Sequence, residues 1–167
     1  MPNTLYIHLG AHKTGSSYIQ RLLSLNNYKL YRHGYIYIDY NFISSFEDFD
    51  DCLSQLYHHY GNRDDLTCVV SSEGFCGSII NGYLDVDQMA QKIQHITTNF
   101  EVRLILYIRR QDQLVESMYV QKIKTGYSLD FQSFIDALPS GSFDWAHIIK
   151  QYEYYFPQHP ITIVPFK

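Results

Sequence analysis

The sequence predicts an α/β domain, a three-layer, P-loop-like fold in which a mainly parallel sheet is flanked by helices. Apolar, β-rich runs alternate with segments of helical periodicity, without internal repeats or low-complexity tracts. The run at residues 66–70 shows no alternation of apolar and polar residues, as expected for a strand buried on both faces. Polar clusters follow three of the predicted strands, and parallel strands bring such ends to one edge of a sheet.

Length and composition indicate one domain that spans residues 1–167, since 46% of the residues are hydrophobic and only 18% are charged. The net charge of −4 argues against generic nucleic-acid binding. No stretch is long and apolar enough to span a membrane, and the first strand begins too early to leave room for a signal peptide. The three cysteines lack metal or CxxC spacing and fit a reducing compartment, so a cytoplasmic protein is expected.

The first strand, loop and helix are the feature around which the chain is arranged. Residues 5–9 read as a buried strand, and apolar residues return at helical spacing from Tyr18 onwards. Between them lies the loop Gly10-Ala11-His12-Lys13-Thr14-Gly15-Ser16-Ser17. Such a layout forms an anion cradle, because backbone N–H groups and a helix N-terminus face the ligand. Lys13 adds a positive charge, and hydroxyl donors come from Thr14, Ser16 and Ser17.

This loop differs from the Walker A motif, in which lysine directly follows the second glycine. Gly10 and Gly15 keep the Walker spacing, but Ser16 follows the second glycine and the lysine stands at position 13. We interpret the segment as a phosphate- or sulfate-binding loop. The alternative at this point is a surface turn between a core strand and a core helix, with a solvated lysine.

Periodicity and turn residues predict the remaining elements in order. Further strands are expected at residues 34–38, 66–70, 102–108 and 161–164. Helices are expected up to residues 26–27, over 86–100, after Asp112, over 131–138 and over 143–156, and helical spacing also occurs at 49–60. Asp112 is the predicted cap of its helix, and Gly126 is the predicted C′ residue. The inner face of that helix is assigned to Leu114, Val115, Met118 and Ile123.

A second polar cluster follows the strand at residues 102–108. Arg109 comes directly after this strand, and Ser117 lies eight residues further on, within the next helix. A guanidinium and a hydroxyl in these places can hold one phosphate together. Alternatively, Arg109 caps the sheet edge and pairs with Glu116 or Asp112. The third cluster, residues 71–73, ends in a glutamate, and all three clusters are expected to converge.

Together these segments resemble the sulfotransferase family that uses 3′-phosphoadenosine 5′-phosphosulfate (PAPS) as donor. The matching stretches are residues 7–17, residues 105–111 and residues 116–119. The similarity is nearest to bacterial sulfotransferase-like proteins and carbohydrate sulfotransferases. In that family the first loop holds the 5′-phosphosulfate, and the arginine and serine hold the 3′-phosphate. The resemblance therefore implies a donor site made by His12, Lys13, Thr14, Gly15, Ser16, Ser17, Arg109 and Ser117.

The resemblance also implies in-line transfer of a sulfuryl group to a hydroxyl or amine of a small-molecule or carbohydrate acceptor, with 3′-phosphoadenosine 5′-phosphate (PAP) as product. Lys13 would neutralise charge on the leaving oxygen, and no metal is required. Glu73 is the preferred general base, since similar carbohydrate sulfotransferases use a glutamate near this point. His12 and His8 are rivals for that role, although His8 is expected to be a packed core residue. Glu73 could instead merely pair with Lys13 or Arg109.

Two other functions stay open from the sequence. One is a P-loop kinase of a small metabolite, against which the missing GK[ST] and the lack of a clear Walker B aspartate count. The other is a non-catalytic nucleotide-binding module. The family domain normally continues past the strand at residues 161–164, whereas this chain ends at Lys167. The resemblance therefore implies either a C-terminally incomplete chain or a degenerate short relative of the family.

Overall fold

The structure, a computed structural model, describes residues 4–39, 66–98 and 100–166. Its strands are β1 Thr4–Leu9, β2 Tyr35–Asp39, β3 Thr67–Ser72, β4 Glu101–Ile108 and β5 Ile161–Pro165. Its helices are α1 Ser16–Leu25, α2 Asn27–Arg32, α3 Val86–Ile96, α4 Gln111–Lys124, α5 Phe131–Asp136 and α6 Trp145–Tyr155, and a 3₁₀ turn spans Glu73–Cys76. None of the helices in these ranges is long and apolar enough to cross a membrane.

The five strands form one parallel sheet in the order β2-β3-β1-β4-β5, which confirms the predicted fold class. β1 lies at the centre, with Leu9 opposite Ser72 of β3 and Leu106 of β4. All strands point the same way, so the loop after β1, the turn after β3 and the segment after β4 meet at one edge. The predicted convergence of the three polar clusters follows from this order.

The sheet is held by apolar side chains that cover its central strand. Leu5, Ile7 and Leu9 of β1 are at most 1% exposed. Fully burying an aliphatic side chain of this size contributes about 1.5–3 kcal/mol, which makes β1 a rigid base for the loop that follows it. α3 packs against α6, where Ala90 and Ile148 are both fully buried, and α1 packs against β2 and β3.

The helix α4 differs from its prediction in its N-cap and in one residue assigned to its inner face. Its N-cap residue is Arg110, and Asp112 lies within the first turn, where it pairs with the Arg110 guanidinium at 2.6 Å. Capping by Asp112 was therefore wrong. Ile123 is 44% exposed rather than on the inner face, because the last turn of α4 extends into solvent. Gly126, with φ +97°, follows the C-cap Thr125 as the predicted C′ residue.

Other element boundaries shift by a few residues. α3 ends at Ile96 instead of residue 100, although Phe100 is still buried beside it. The short helix α2 was not predicted, since its six residues carry no clear apolar periodicity. The helix predicted from the spacing at residues 49–60, and the loop at 61–65, lie outside the described residues.

Candidate functional site

The loop between β1 and α1 has the backbone geometry of an anion-binding nest. Lys13 (φ +64°) and Gly15 (φ +76°) are both left-handed. Left-handed residues next to right-handed ones form concavities lined by N–H groups. Within the described part of the chain, the five amides of residues 13–17 make no hydrogen bond. These five donors, together with the N-terminus of α1, are available to a bound anion.

Close contacts fix the loop to its surroundings. The Gly10 amide donates to Ser72 O at 3.1 Å, and a Cβ on Gly10 would stand 3.0 Å from the Ser16 Cβ. Thr14 is buried and its hydroxyl donates to Ala11 O at 2.5 Å, so its backbone amide, rather than its hydroxyl, remains for a ligand. The loop is thus pre-shaped by groups that do not themselves face the anion.

Glu73 joins the end of β3 to this loop. Its Oε1 accepts hydrogen bonds from the Ser16 hydroxyl and, at 3.4 Å, from the Ser17 hydroxyl. Its Oε2 lies 3.6 Å from His12 Nε2. Ser72 precedes it and accepts a hydrogen bond from the Gly74 amide, which starts the 3₁₀ turn. The turn therefore places a half-buried carboxylate directly against the loop. Within the described ranges Glu73 makes no ion pair with Lys13 or Arg109.

His12 contacts Tyr83 through its backbone amide and through Nδ1 of its ring. The Tyr83 hydroxyl accepts from the His12 amide at 3.0 Å and lies 3.2 Å from His12 Nδ1. Burial raises the pKa of Tyr83, so its hydroxyl keeps its proton and can donate it to an unprotonated Nδ1. Burial, opposed by Glu73 and reinforced by Lys13, lowers the pKa of His12, which is therefore neutral at pH 7. The Glu73 carboxylate, 3.6 Å from Nε2, favours the neutral tautomer that carries its proton on Nε2.

Arg109 connects the segment after β4 to the same loop. Its Nη1 donates to Lys13 O at 3.1 Å, and its guanidinium lies 5.9 Å from the centre of the Phe166 ring. The Trp145 indole donates to Arg109 O at 2.8 Å. Asp112 pairs with Arg110, and among the described residues Arg109 makes no ion pair with Asp112 or Glu116, so the alternative role of Arg109 is not found.

The Arg109 guanidinium retains unused hydrogen-bonding capacity. Its Nε is buried and has no hydrogen-bond partner among the described residues. Ser117 is half-buried two turns along α4, on the side of the helix that also carries the buried Leu114. The structure thus brings Arg109 to the loop, whereas Ser117 has no hydrogen bond within the described ranges.

His8 lies beneath the loop and is only 5% exposed. Its Nδ1 is 2.7 Å from the Ser71 hydroxyl, which the Gln20 amide also approaches at 3.4 Å. Its ring packs edge-on against Tyr107, and its Nε2 has no partner among the described residues. Burial lowers the pKa of His8 to about 4. The prediction that His8 is a packed, hydrogen-bonded core residue is confirmed.

The low pKa of His8 makes stability depend on pH. Between about pH 6.5 and pH 4 the unfolded chain binds a proton at His8 that the folded chain does not, so the free energy of unfolding falls as pH decreases. Between about pH 7 and pH 5 this difference amounts to about 2 kcal/mol. We expect urea titrations to show this loss in the wild type and a correspondingly smaller loss in His8→Gln. Equal losses in both proteins would mean that His8 is protonated in the folded state.

Several residues of the site could not be found by sequence reasoning. Tyr83 and Phe143 have left-handed backbones, with φ +67° and +62°, and the Phe143 amide donates to Gly82 O at 2.8 Å. A Cβ on Gly82 would lie 2.1 Å from the Ser142 hydroxyl, so this contact requires glycine. Gly82 and Gly141 indicate turns in the sequence at these two segments. They do not show that the two turns contact each other.

No protein-family model matches this chain, and no curated protein matches it either. Among solved structures, the chain is similar to a sulfotransferase from Alicyclobacillus acidocaldarius, with 16% identity, a TM-score of 0.54, and coverage of 99% of this chain and 73% of that chain. It is also similar to polyphosphate kinase 2 from Arthrobacter aurescens, with 11% identity, a TM-score of 0.42, and coverage of 98% and 62%. The first likeness shows the fold, a parallel sheet flanked by helices; the second is too distant to add to it.

Proposed function

We propose that this chain binds PAPS and transfers its sulfuryl group to a hydroxyl or amine acceptor. The observation that carries the proposal is the meeting of two anion-binding elements far apart in the sequence. One is the nest of five unpaired amides at residues 13–17, and the other is Arg109, which is hydrogen-bonded to that nest. A donor with one anionic group on each side of its ribose fits this pair.

The residues present fit such a donor. The 5′-phosphosulfate would occupy the nest, with the Lys13 ammonium against its charge. The 3′-phosphate would accept hydrogen bonds from Arg109, with Ser117 supporting it from α4. The buried, unpaired Nε of Arg109 supports this assignment, because a buried N–H without a partner costs free energy that a bound anion would recover.

In sulfuryl transfer the acceptor oxygen or nitrogen bonds to sulfur while the bond between sulfur and the 5′-phosphate oxygen breaks, which releases PAP and a proton. Lys13 offsets the charge that develops on the leaving oxygen. Glu73 takes the proton from the acceptor. His12 points a proton-bearing Nε2 towards Glu73, so His12 orients the carboxylate and does not itself accept the proton.

The experiment that tests donor binding compares PAP with adenosine 5′-phosphosulfate, which has no 3′-phosphate. Arg109→Ala is expected to weaken PAP by roughly ten- to a hundredfold, the loss of about 1.5–3 kcal/mol typical of a charged hydrogen bond. Affinity for adenosine 5′-phosphosulfate should change much less. Isothermal titration calorimetry gives both dissociation constants.

Arg110→Ala is the matched control for this comparison. Arg110 is exposed and paired with Asp112, so its removal should leave both ligands nearly unaffected. Equal losses for PAP and adenosine 5′-phosphosulfate in Arg109→Ala would mean that Arg109 serves the loop structure, through its hydrogen bond to Lys13 O, and not the 3′-phosphate.

A further inference from the structure

An open groove lies between α4 and α5, and neither Arg109 nor Ser117 of the proposed donor site lines it. Its volume is about 690 Å³, large enough for a small organic molecule. Its apolar wall is formed by Val115, Tyr119, Val120, Phe131 and Ile135. Phe131 and Val120 are 43% and 46% exposed, so the groove presents an aromatic and an aliphatic surface to solvent.

Contacts join the near end of this α4–α5 groove to the donor loop. Gln111 lines the groove and begins α4, two residues after Arg109, a separation of at most about 7 Å along the chain. The Gln111 amide donates to Phe143 O at 2.8 Å, and the Phe143 ring packs edge-on against Tyr83 at 5.5 Å. Tyr83 in turn holds His12. A continuous chain of contacts therefore connects the Gln111 end of the groove to His12 of the loop.

Charge on the groove favours a cationic ligand. Two carboxylates line it, Asp112 and Glu116, and among the described residues no lysine or arginine does. Asp112 is compensated by Arg110. Glu116 is exposed and has no ion pair within the described part of the chain. An anionic ligand would be repelled here, whereas an ammonium group would gain a partner.

We propose that the α4–α5 groove binds the acceptor, and that the acceptor is a small aromatic molecule that carries a hydroxyl at one end and a cationic amine at the other. The ring packs on the groove wall at Val115 and Phe131, since the Phe131 and Tyr119 rings contact each other edge-on at 5.1 Å and leave no room between them. The amine lies at Glu116, five residues or about 7.5 Å along α4 from Gln111, and the hydroxyl points towards the Gln111 end. The assignment of this ligand as acceptor rests on the proposed sulfuryl transfer; the binding site itself does not.

Three phenols of similar size test the groove: tyramine (cationic), 4-ethylphenol (neutral) and 4-hydroxyphenylacetate (anionic). Titration without any nucleotide, followed by amide chemical shifts, should show tyramine perturbing residues of α4 and α5. 4-Hydroxyphenylacetate should bind more weakly than 4-ethylphenol. Equal affinity for the three phenols, or perturbations confined to other parts of the molecule, would overturn the proposal.

Two variants separate charge from shape in the groove. Glu116→Gln should weaken tyramine by roughly two- to fivefold and leave 4-ethylphenol unchanged, whereas Glu153→Gln, an exposed glutamate on α6, should affect neither. Phe131→Leu should weaken both by roughly two- to tenfold through loss of ring contact. Thermal unfolding shows whether each variant folds. Unchanged tyramine affinity in folded Glu116→Gln and Phe131→Leu would contradict the proposal.

PAP affinity, measured on the same samples, separates the two proposals. It should be the same in wild type, Glu116→Gln and Phe131→Leu, since none of these groups belongs to the donor site. Tyramine binding without PAP binding would reject the donor assignment and keep the groove. PAP binding without tyramine binding would reject the groove and keep the donor assignment.

Discussion

Glu73→Gln is expected to lower kcat by about 10²–10⁴, the usual cost of removing a general base. Glutamine has the same shape, and its amide oxygen can still accept from the Ser16 and Ser17 hydroxyls, so donor affinity should stay close to that of the wild type. The measurement is single-turnover release of PAP from PAPS with an acceptor, alongside a PAP titration of the same variant.

His12→Ala is the comparison that decides where the proton goes. If His12 orients Glu73, its loss should lower kcat less than the loss of Glu73 does. Tyr83→Phe should act in the same direction, because the Nδ1 of His12 then loses its donor and the Nε2 tautomer is no longer fixed. Near-wild-type turnover in Glu73→Gln combined with none in His12→Ala would move the base to His12.

Lys13→Ala is expected to lower kcat by about 10²–10³, comparable to removing one donor that stabilises a developing oxyanion. Its effect on PAP affinity should be smaller, because the charge that Lys13 offsets is largest in the transition state. The ratio of the change in kcat to the change in the PAP dissociation constant is the quantity to measure. Equal changes in kcat and in the PAP dissociation constant would mean that Lys13 stabilises the bound anion as much as the transition state.

Because the backbone at Lys13 is left-handed, a second variant is needed to separate the loss of the ammonium from an effect on loop shape. Lys13→Gly removes the ammonium and also relaxes the strain of φ +64°, whereas Lys13→Ala keeps that strain. Both variants should lose similar amounts of kcat if the ammonium is responsible. Recovery of turnover in Lys13→Gly would assign the loss in Lys13→Ala to the shape of the loop.

The strand, loop and helix at residues 5–23 could be predicted because their signals are local. An apolar run, two glycines at fixed spacing and apolar residues at helical spacing each depend on a few neighbouring residues. The parallel direction of the strands followed from the alternation of strands and helices, and it placed Arg109 and Glu73 at the edge that carries the loop. These inferences needed no knowledge of side-chain packing.

The rest of the site depends on contacts between distant segments. Tyr83 reaches His12 across 71 positions, and Trp145 reaches Arg109 across 36. Both contacts depend on turns in which a non-glycine residue has a left-handed backbone, a conformation that such residues seldom adopt. Secondary-structure propensities therefore did not predict these contacts. The cap of α4 was misplaced for a related reason: Asp112 has the chemistry of an N-cap, but the end of β4 sets where the helix begins.

The most direct measurement of the central proposal is a calorimetric titration of the wild-type chain with PAP and with ATP–Mg²⁺ at one pH and one salt concentration. A donor site that holds a 3′-phosphate on Arg109 predicts PAP binding tighter than ATP–Mg²⁺ by at least about tenfold, since ATP lacks that group. ATP–Mg²⁺ binding as tightly as PAP, or more tightly, would contradict the PAPS assignment and favour a kinase.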